Sequence, residues 1–237
     1  MMATAGTSEF RHALRVHRAL TATLEKRALI WIAKRLPDCI NSDHLTSLGF
    51  LAQIGAAVGY ALARWSNLGL IGVCCCLVLN WFGDSLDGTL ARVRDRQRPR
   101  YGFYVDHVLD AFGATAMMTG LAFSGFVHWQ VAMAMLVAFL LVSIESFLAS
   151  YSLGAFHLSH GWFGPTEIRI LLIIGNLRLM HDPHCHIFGR SPLLFDIGGC
   201  IAALGMLGMA LFAALRNGAQ LYREETRPEV ARSMELL

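Results

Sequence analysis

Charge is scarce in this chain. Asp, Glu, Lys and Arg make up 16% of its 237 residues, while 55% are hydrophobic. Soluble domains carry about 25% charged residues, so the composition excludes an ordinary water-exposed globule and points to a lipid-embedded protein. Nucleic acid is not an expected partner of such a chain. Cysteines are few and badly placed for cross-linking. Cys74, Cys75 and Cys76 are consecutive in an apolar run, and Cys39, Cys185 and Cys200 stand alone, a spacing that fits neither a disulfide framework nor a zinc site. They read as small apolar fillers kept reduced. A cleavable signal peptide is also missing from the expected features, because the N-terminus is a charged, mixed stretch.

What the chain has in quantity is long apolar sequence. A helix needs roughly 17–25 residues to cross a bilayer. On that rule six spans are expected, at about 45–64, 68–90, 104–126, 129–153, 165–181 and 192–215. The fifth is the most interrupted, with Glu167 and Arg169 at its start and Asn176 and Arg178 near its end. Ahead of the first span, residues 9–36 interleave Arg11, Arg15, Arg18, Lys26, Arg27, Lys34 and Arg35 with Leu14, Leu20, Leu24, Ile30 and Trp31. That pattern suits a helix in the headgroup plane, and equally an amphipathic helix packed on the protein; both can hold. Pro37 ends it, and Asn41-Ser42-Asp43 offers capping groups for the next helix. The expected fold class is an all-α integral membrane protein with six transmembrane helices and an N-terminal amphipathic interfacial helix. It forms one domain over residues 1–237, with a six-helix core at 45–215 and a cytosolic tail at 216–237. Seven Lys and Arg residues precede the first span, five lie between the second and third, and four follow the sixth. Arg169 adds to that side, against Arg64, Arg178 and Arg190 on the other. By the positive-inside rule both termini face the cytosol.

The chemistry concentrates between Asp84 and Asp110. Asp84 and Asp87 are spaced i,i+3 and Asp106 and Asp110 i,i+4, so on helices each pair projects from one face. Both pairs border apolar runs, where like charges persist only if cations or function offset their repulsion. Four carboxylates converging from two helices match what a pair of hard divalent cations needs.

The string Asp84-x-x-Asp87-Gly88-x-x-Ala91-Arg92, then Gly102-x-x-x-Asp106-x-x-x-Asp110, resembles the signature of the CDP-alcohol phosphotransferases, integral membrane enzymes of phospholipid synthesis. It covers 27 residues with eight fixed identities, and the interval Val93–Tyr101 is one residue longer than usual. Asn41 with Leu45-Thr46 also resembles the family's entry to its first span. The resemblance implies displacement of CMP from a CDP-alcohol by a second alcohol, with two Mg2+ or Mn2+ ions. It implies Asp84, Asp87 and Asp106 as the main metal ligands, with Asp110 as a fourth metal ligand and the general base. It assigns the nucleotide to the face of Asp84, Gly88, Ala91, Arg92 and Gly102, and it implies a homodimer. For the small residues, close helix packing is the competing use. Gly102 is expected about a turn ahead of the third span. For Arg94, Arg96, Arg98 and Arg100, the ordinary role of a cytosolic loop is favoured over contact with a diphosphate.

The acceptor side is less marked. Glu167 and Arg169 open the fifth span on the cytosolic side and, at i,i+2, do not share a helix face, so each should have its own partner. Arg169 either holds an anionic phosphate or snorkels to lipid. Glu145 is an intramembrane carboxylate among serines. The His181–His186 segment is broken by Pro183 and read as incidental. Two substrate schemes follow from the resemblance: a soluble alcohol attacking CDP-diacylglycerol, which is favoured, or a lipid hydroxyl attacking CDP-choline or CDP-ethanolamine. From another class, a divalent-cation transporter would also place acids in a membrane, but the acids here cluster at one edge and no inverted repeat is visible.

Overall fold

A computed structural model of the chain describes residues 22–153, 165–186 and 190–225. They form seven helices: α1 Ala22–Ala33, α2 Ser42–Ala63, α3 Leu68–Val93, α4 Pro99–Phe123, α5 Trp129–Leu153, α6 Pro165–Leu179 and α7 Leu194–Glu224. Among the described residues there is no named strand; His184 and Leu193 form an isolated antiparallel bridge.

Each of the six expected spans coincides with a helix, but only four are long and apolar enough by themselves to cross a membrane: α2, α3, α5 and α7. The six-span expectation is therefore met at four positions. At 15 residues, α6 is short for a hydrocarbon core of roughly 30 Å at about 1.5 Å per residue. In α4, Asp106, His107 and Asp110 dilute the apolar sequence. The boundaries also differ in informative ways. Pro99 occupies the first turn of α4, where its fixed φ and missing N–H are harmless, so the helix starts earlier than expected. Gly102 consequently lies inside α4 instead of a turn before it. At the other end of the chain, α7 continues through Arg216 and Arg223 to Glu224, taking in residues expected to belong to the tail. Residues 9–21 of the expected interfacial helix and 226–237 of the tail lie outside the described residues.

Small residues set the helix spacing near the site. A Cβ on Gly83 would stand 2.6 Å from both the amide nitrogen of Gly49 and the carbonyl oxygen of Leu45. The backbones of α2 and α3 thus touch one residue before Asp84. A Cβ on Gly120 would likewise meet the carbonyl oxygen of Ala57 at 2.1 Å, which seats α4 on α2. Such contacts are how helices pack tightly where hydrocarbon surrounds them.

One apolar core joins Tyr60, Leu70, Val73, Met118, Leu121 and Leu136. A second, smaller one packs Leu29 and Ala33 of α1 against Leu45, Leu86 and Leu90. The apolar stripe of α1 is therefore seated on α2 and α3, while Trp31 on its other side is exposed with Arg35 stacked 3.9 Å over its ring. On α7, Ile201, Leu204, Leu211, Phe212 and Leu215 are all exposed. In water such a face would be a liability; in lipid it costs nothing.

Candidate active site

The first three turns of α2, the last turns of α3 and the first turns of α4 and α6 meet at one end of the bundle. A small cleft there is lined by Thr46, Gly49, Phe50, Gln53, Asn80, Leu109 and the four carboxylates Asp84, Asp87, Asp106 and Asp110. One carboxylate oxygen from each of Asp84, Asp106 and Asp110 lies within 4.8 Å of the others, the one such group of potential metal ligands among the described residues. Asp87 sits on the same wall but outside that trio. It is fastened to α2, with the Thr46 hydroxyl donating to its Oδ2 at 2.7 Å and the Ser42 hydroxyl donating to its carbonyl oxygen at 2.7 Å.

Arg169 of α6 reaches across to α3. Its Nη2 donates to Asp84 Oδ2 at 2.6 Å and its Nε to Asn80 Oδ1 at 2.8 Å. Asn80 in turn donates to the carbonyl oxygen of Gly49 at 3.0 Å, so one buried amide ties α6, α3 and α2 together. The third guanidinium nitrogen, Nη1, is buried and finds no hydrogen-bond partner among the described residues. A buried donor without an acceptor is costly, which makes its position informative. Glu167 does not line the cleft.

Arg92 folds back along α3. Its Nη2 donates to the Thr89 hydroxyl at 3.0 Å, and its Nη1 lies 3.4 Å from where a Cβ of Gly88 would be. A Cβ at Gly102 would meet nothing within 4 Å, so close helix packing does not explain that glycine. The other loop arginines divide. Arg94 donates to the carbonyl oxygens of Leu36 at 2.8 Å and Pro37 at 3.0 Å, and also to that of Ile40, closing the connection between α1 and α2. Arg98 pairs with Asp43 Oδ2 at 2.6 Å and stacks over Tyr101, and the hydrogen bond to Asp43 pushes its pKa up. Both are spent on structure. The loop itself turns at Asp95, whose φ of 52° is left-handed.

Elsewhere, Glu145 accepts from the Nδ2 of Asn217 at 2.6 Å, an α5–α7 bond away from the carboxylate cleft. The His181–His186 segment lies at the opposite end of the bundle, gathered around Asp182. The His184 amide donates to that carboxylate at 2.9 Å, and His186 Nε2 lies 3.2 Å from it.

Thr46 was reached from sequence as part of a resemblance, without a role. Sequence reading does not single out Asn80 or Gln53, although Asn80 carries a signal: a lone amide one helical turn before Asp84 in an otherwise apolar run.

Fold and cleft together define an all-helical, polytopic membrane protein with an oxygen-rich acidic site near one end of its helices. Residues 40–215 match the CDP-alcohol phosphatidyltransferase family, and the chain belongs to it. It is similar to the archaetidylinositol phosphate synthase of Pyrococcus horikoshii, with 30% identity over 128 residues. That match spans 54% of this chain and 61% of the relative, less than two thirds of its length. Among solved structures it resembles a crystal structure of Mycobacterium tuberculosis phosphatidylinositol phosphate synthase with CDP-DAG bound, at a TM-score of 0.53 and 20% identity. The overlap takes in 83% of this chain and 92% of that one, a likeness of fold.

Proposed function

We propose that this protein transfers a substituted phosphate from a CDP-alcohol, CDP-diacylglycerol being the favoured donor, to a soluble alcohol, releasing CMP. The observation that carries the reading is the convergence of Asp84, Asp106 and Asp110 to within 4.8 Å, with Asp87 on the same cleft wall. The donor set is entirely carboxylate oxygen and comes from two helices, which fits hard divalent cations such as Mg2+ or Mn2+. Asp84, Asp87, Asp106 and Asp110 would hold two such ions. When bound, the ions offset the charge that develops on the diphosphate as CMP departs.

The chain's own residues supply the rest. Asp110 accepts the proton of the acceptor hydroxyl while the new O–P bond forms to the phosphorus distal to cytidine. The bond from that phosphorus to the oxygen of CMP breaks, and CMP leaves as the phosphate monoester. Gly88, Ala91 and Gly102 keep the nucleotide's approach clear of side chains, and Arg92 lies beside it as a phosphate partner. Arg169 orients Asp84 and offers its unpartnered Nη1 to an anionic group. The names of the two relatives favour an inositol phosphate as the acceptor, and the charge of Arg169 suits a phosphorylated alcohol. The active site and both termini face the cytosol, and the assembly is a homodimer.

The test is CMP release by purified protein from CDP-diacylglycerol with a panel of soluble alcohols and their phosphates. Asp110→Asn should abolish CMP release while the protein still purifies as a folded species. Full turnover in that variant removes Asp110 from the base role, and cation flux without CMP formation would replace the enzyme reading with a transporter.

A further inference from the structure

α1 has an obvious use as a membrane-surface helix, but one of its side chains is turned inward. Glu25 Oε1 accepts from Trp81 Nε1 at 2.8 Å, from the Ser85 hydroxyl at 3.3 Å and from the Thr166 hydroxyl at 3.0 Å. Three neutral donors from two other helices meet on one carboxylate oxygen. Trp81 and Ser85 bracket Asp84 on α3, and Thr166 stands one turn before Arg169 on α6. Arg169 closes the circuit by donating to Asp84 Oδ2 at 2.6 Å. The ring therefore runs Glu25, Trp81 and Ser85, Asp84, Arg169, Thr166 and back to Glu25, through α1, α3 and α6. At 15 residues α6 is the shortest of the helices that follow α1. A bond between its first turn and a fixed helix is an economical way to set where Arg169 falls.

We infer that Glu25 is a positioning residue: by tethering Thr166 to α3, it sets the register at which Arg169 meets Asp84, and so the phosphate-receiving side of the cleft. The inference rests on the reading of Arg169 given above. The carboxylate matters because one oxygen must satisfy three donors, and hydrogen bonds to an ionised acceptor are stronger than those to a neutral one. Loss of the tether lets the first turn of α6 drift, and a displacement of about 1 Å near reacting groups can cost on the order of 100-fold in rate.

The experiment pairs turnover with a chemical probe of Arg169 that needs no turnover. Glu25→Ala, Glu25→Gln, Arg169→Ala and the Glu25→Ala/Arg169→Ala double variant are compared for kcat and KM of CMP release. Glu25→Ala should lower kcat about 10- to 100-fold with little change in KM for the CDP-alcohol, and Glu25→Gln should recover part of it. If Glu25 acts through Arg169, the double variant loses no more than Arg169→Ala alone; multiplied losses would overturn the inference. In parallel, Arg169 modification by phenylglyoxal is followed by mass spectrometry on intact detergent-solubilised protein. It should be slow in the unaltered protein, several-fold faster in Glu25→Ala and intermediate in Glu25→Gln. Equal rates in all three would overturn the positioning role. Absence of CMP release from the unaltered protein would instead sink the proposed reaction, leaving the probe to judge the tether alone.

Discussion

Thr46 shows how little chemistry separates a tethered carboxylate from a loose one. Its hydroxyl holds Asp87 Oδ2 at 2.7 Å, a bond that ties α2 to α3 at the cleft wall. Thr46→Val keeps the shape and removes the donor. Loss of an outer partner of a metal-binding carboxylate typically costs 10- to 100-fold in affinity or activity. The expected outcome is a drop of about tenfold in CMP release, with a matching rise in the Mg2+ concentration needed for half-maximal rate. An unchanged Mg2+ dependence would argue that Asp87 is not a ligand. At the same scale Arg169→Lys should behave poorly, because an ammonium cannot hold Asp84 and Asn80 together with the planar fork seen here. Turnover in that variant is expected to fall close to that of Arg169→Ala.

Helices meet at the site because their backbones can. Gly83 lies against Gly49, and any side chain there must push α2 off α3 beside Asp84. Gly83→Val should destabilise the protein by about 1–3 kcal/mol, as overpacking does, read from denaturation in detergent. It should also depress turnover, because Asn80 and Thr46 both bridge these two helices. The far end of the bundle makes the opposite prediction. Asp182 is held below the usual carboxylate range, first by the His184 amide and then by the His186 side chain. A lowered folded pKa means its contribution is present above the unfolded value of about 3.9 and is lost only as pH falls through the folded value. The 180–186 loop should therefore keep its order from neutral pH down to about pH 4 and loosen below that. Asp182→Asn should speed amide exchange at His184 and leave CMP release unchanged. A large loss of activity would reopen a role for the histidine segment.

For the whole molecule, the decisive expectation concerns divalent metal. Exhaustive chelation should stop CMP release, and either Mg2+ or Mn2+ should restore it; turnover in stripped protein would leave the carboxylate cleft without its proposed purpose. Sidedness can be read from two natural cysteines. Cys39 is exposed at the end that holds the cleft, and Cys185 lies in the loop at the other end. With a membrane-impermeant maleimide on sealed cells, a variant retaining only Cys185 should label from outside and one retaining only Cys39 should not. The reverse pattern would invert the topology. Arg169→Ala also belongs here, since its effect travels through three helices: KM for a phosphorylated acceptor should rise by about tenfold while that for an uncharged alcohol stays put.

Much of this was legible in one dimension. The placement of the long apolar helices and the spacing of the aspartates follow from local rules of length, periodicity and identity, which a sequence carries in full. The expectation that Glu167 and Arg169 would need separate partners was equally local, and Arg169 does find its own. Which partner it finds was not legible. Arg169 meets Asp84 across 85 residues of chain, and Glu25 meets Trp81 across 56. Those meetings depend on how far each helix is rotated and slid against its neighbours. That in turn is decided by glycine contacts and core packing summed over the bundle, so only the folded chain determines that Asp84, Asp106 and Asp110 crowd together while Asp87 turns to Thr46.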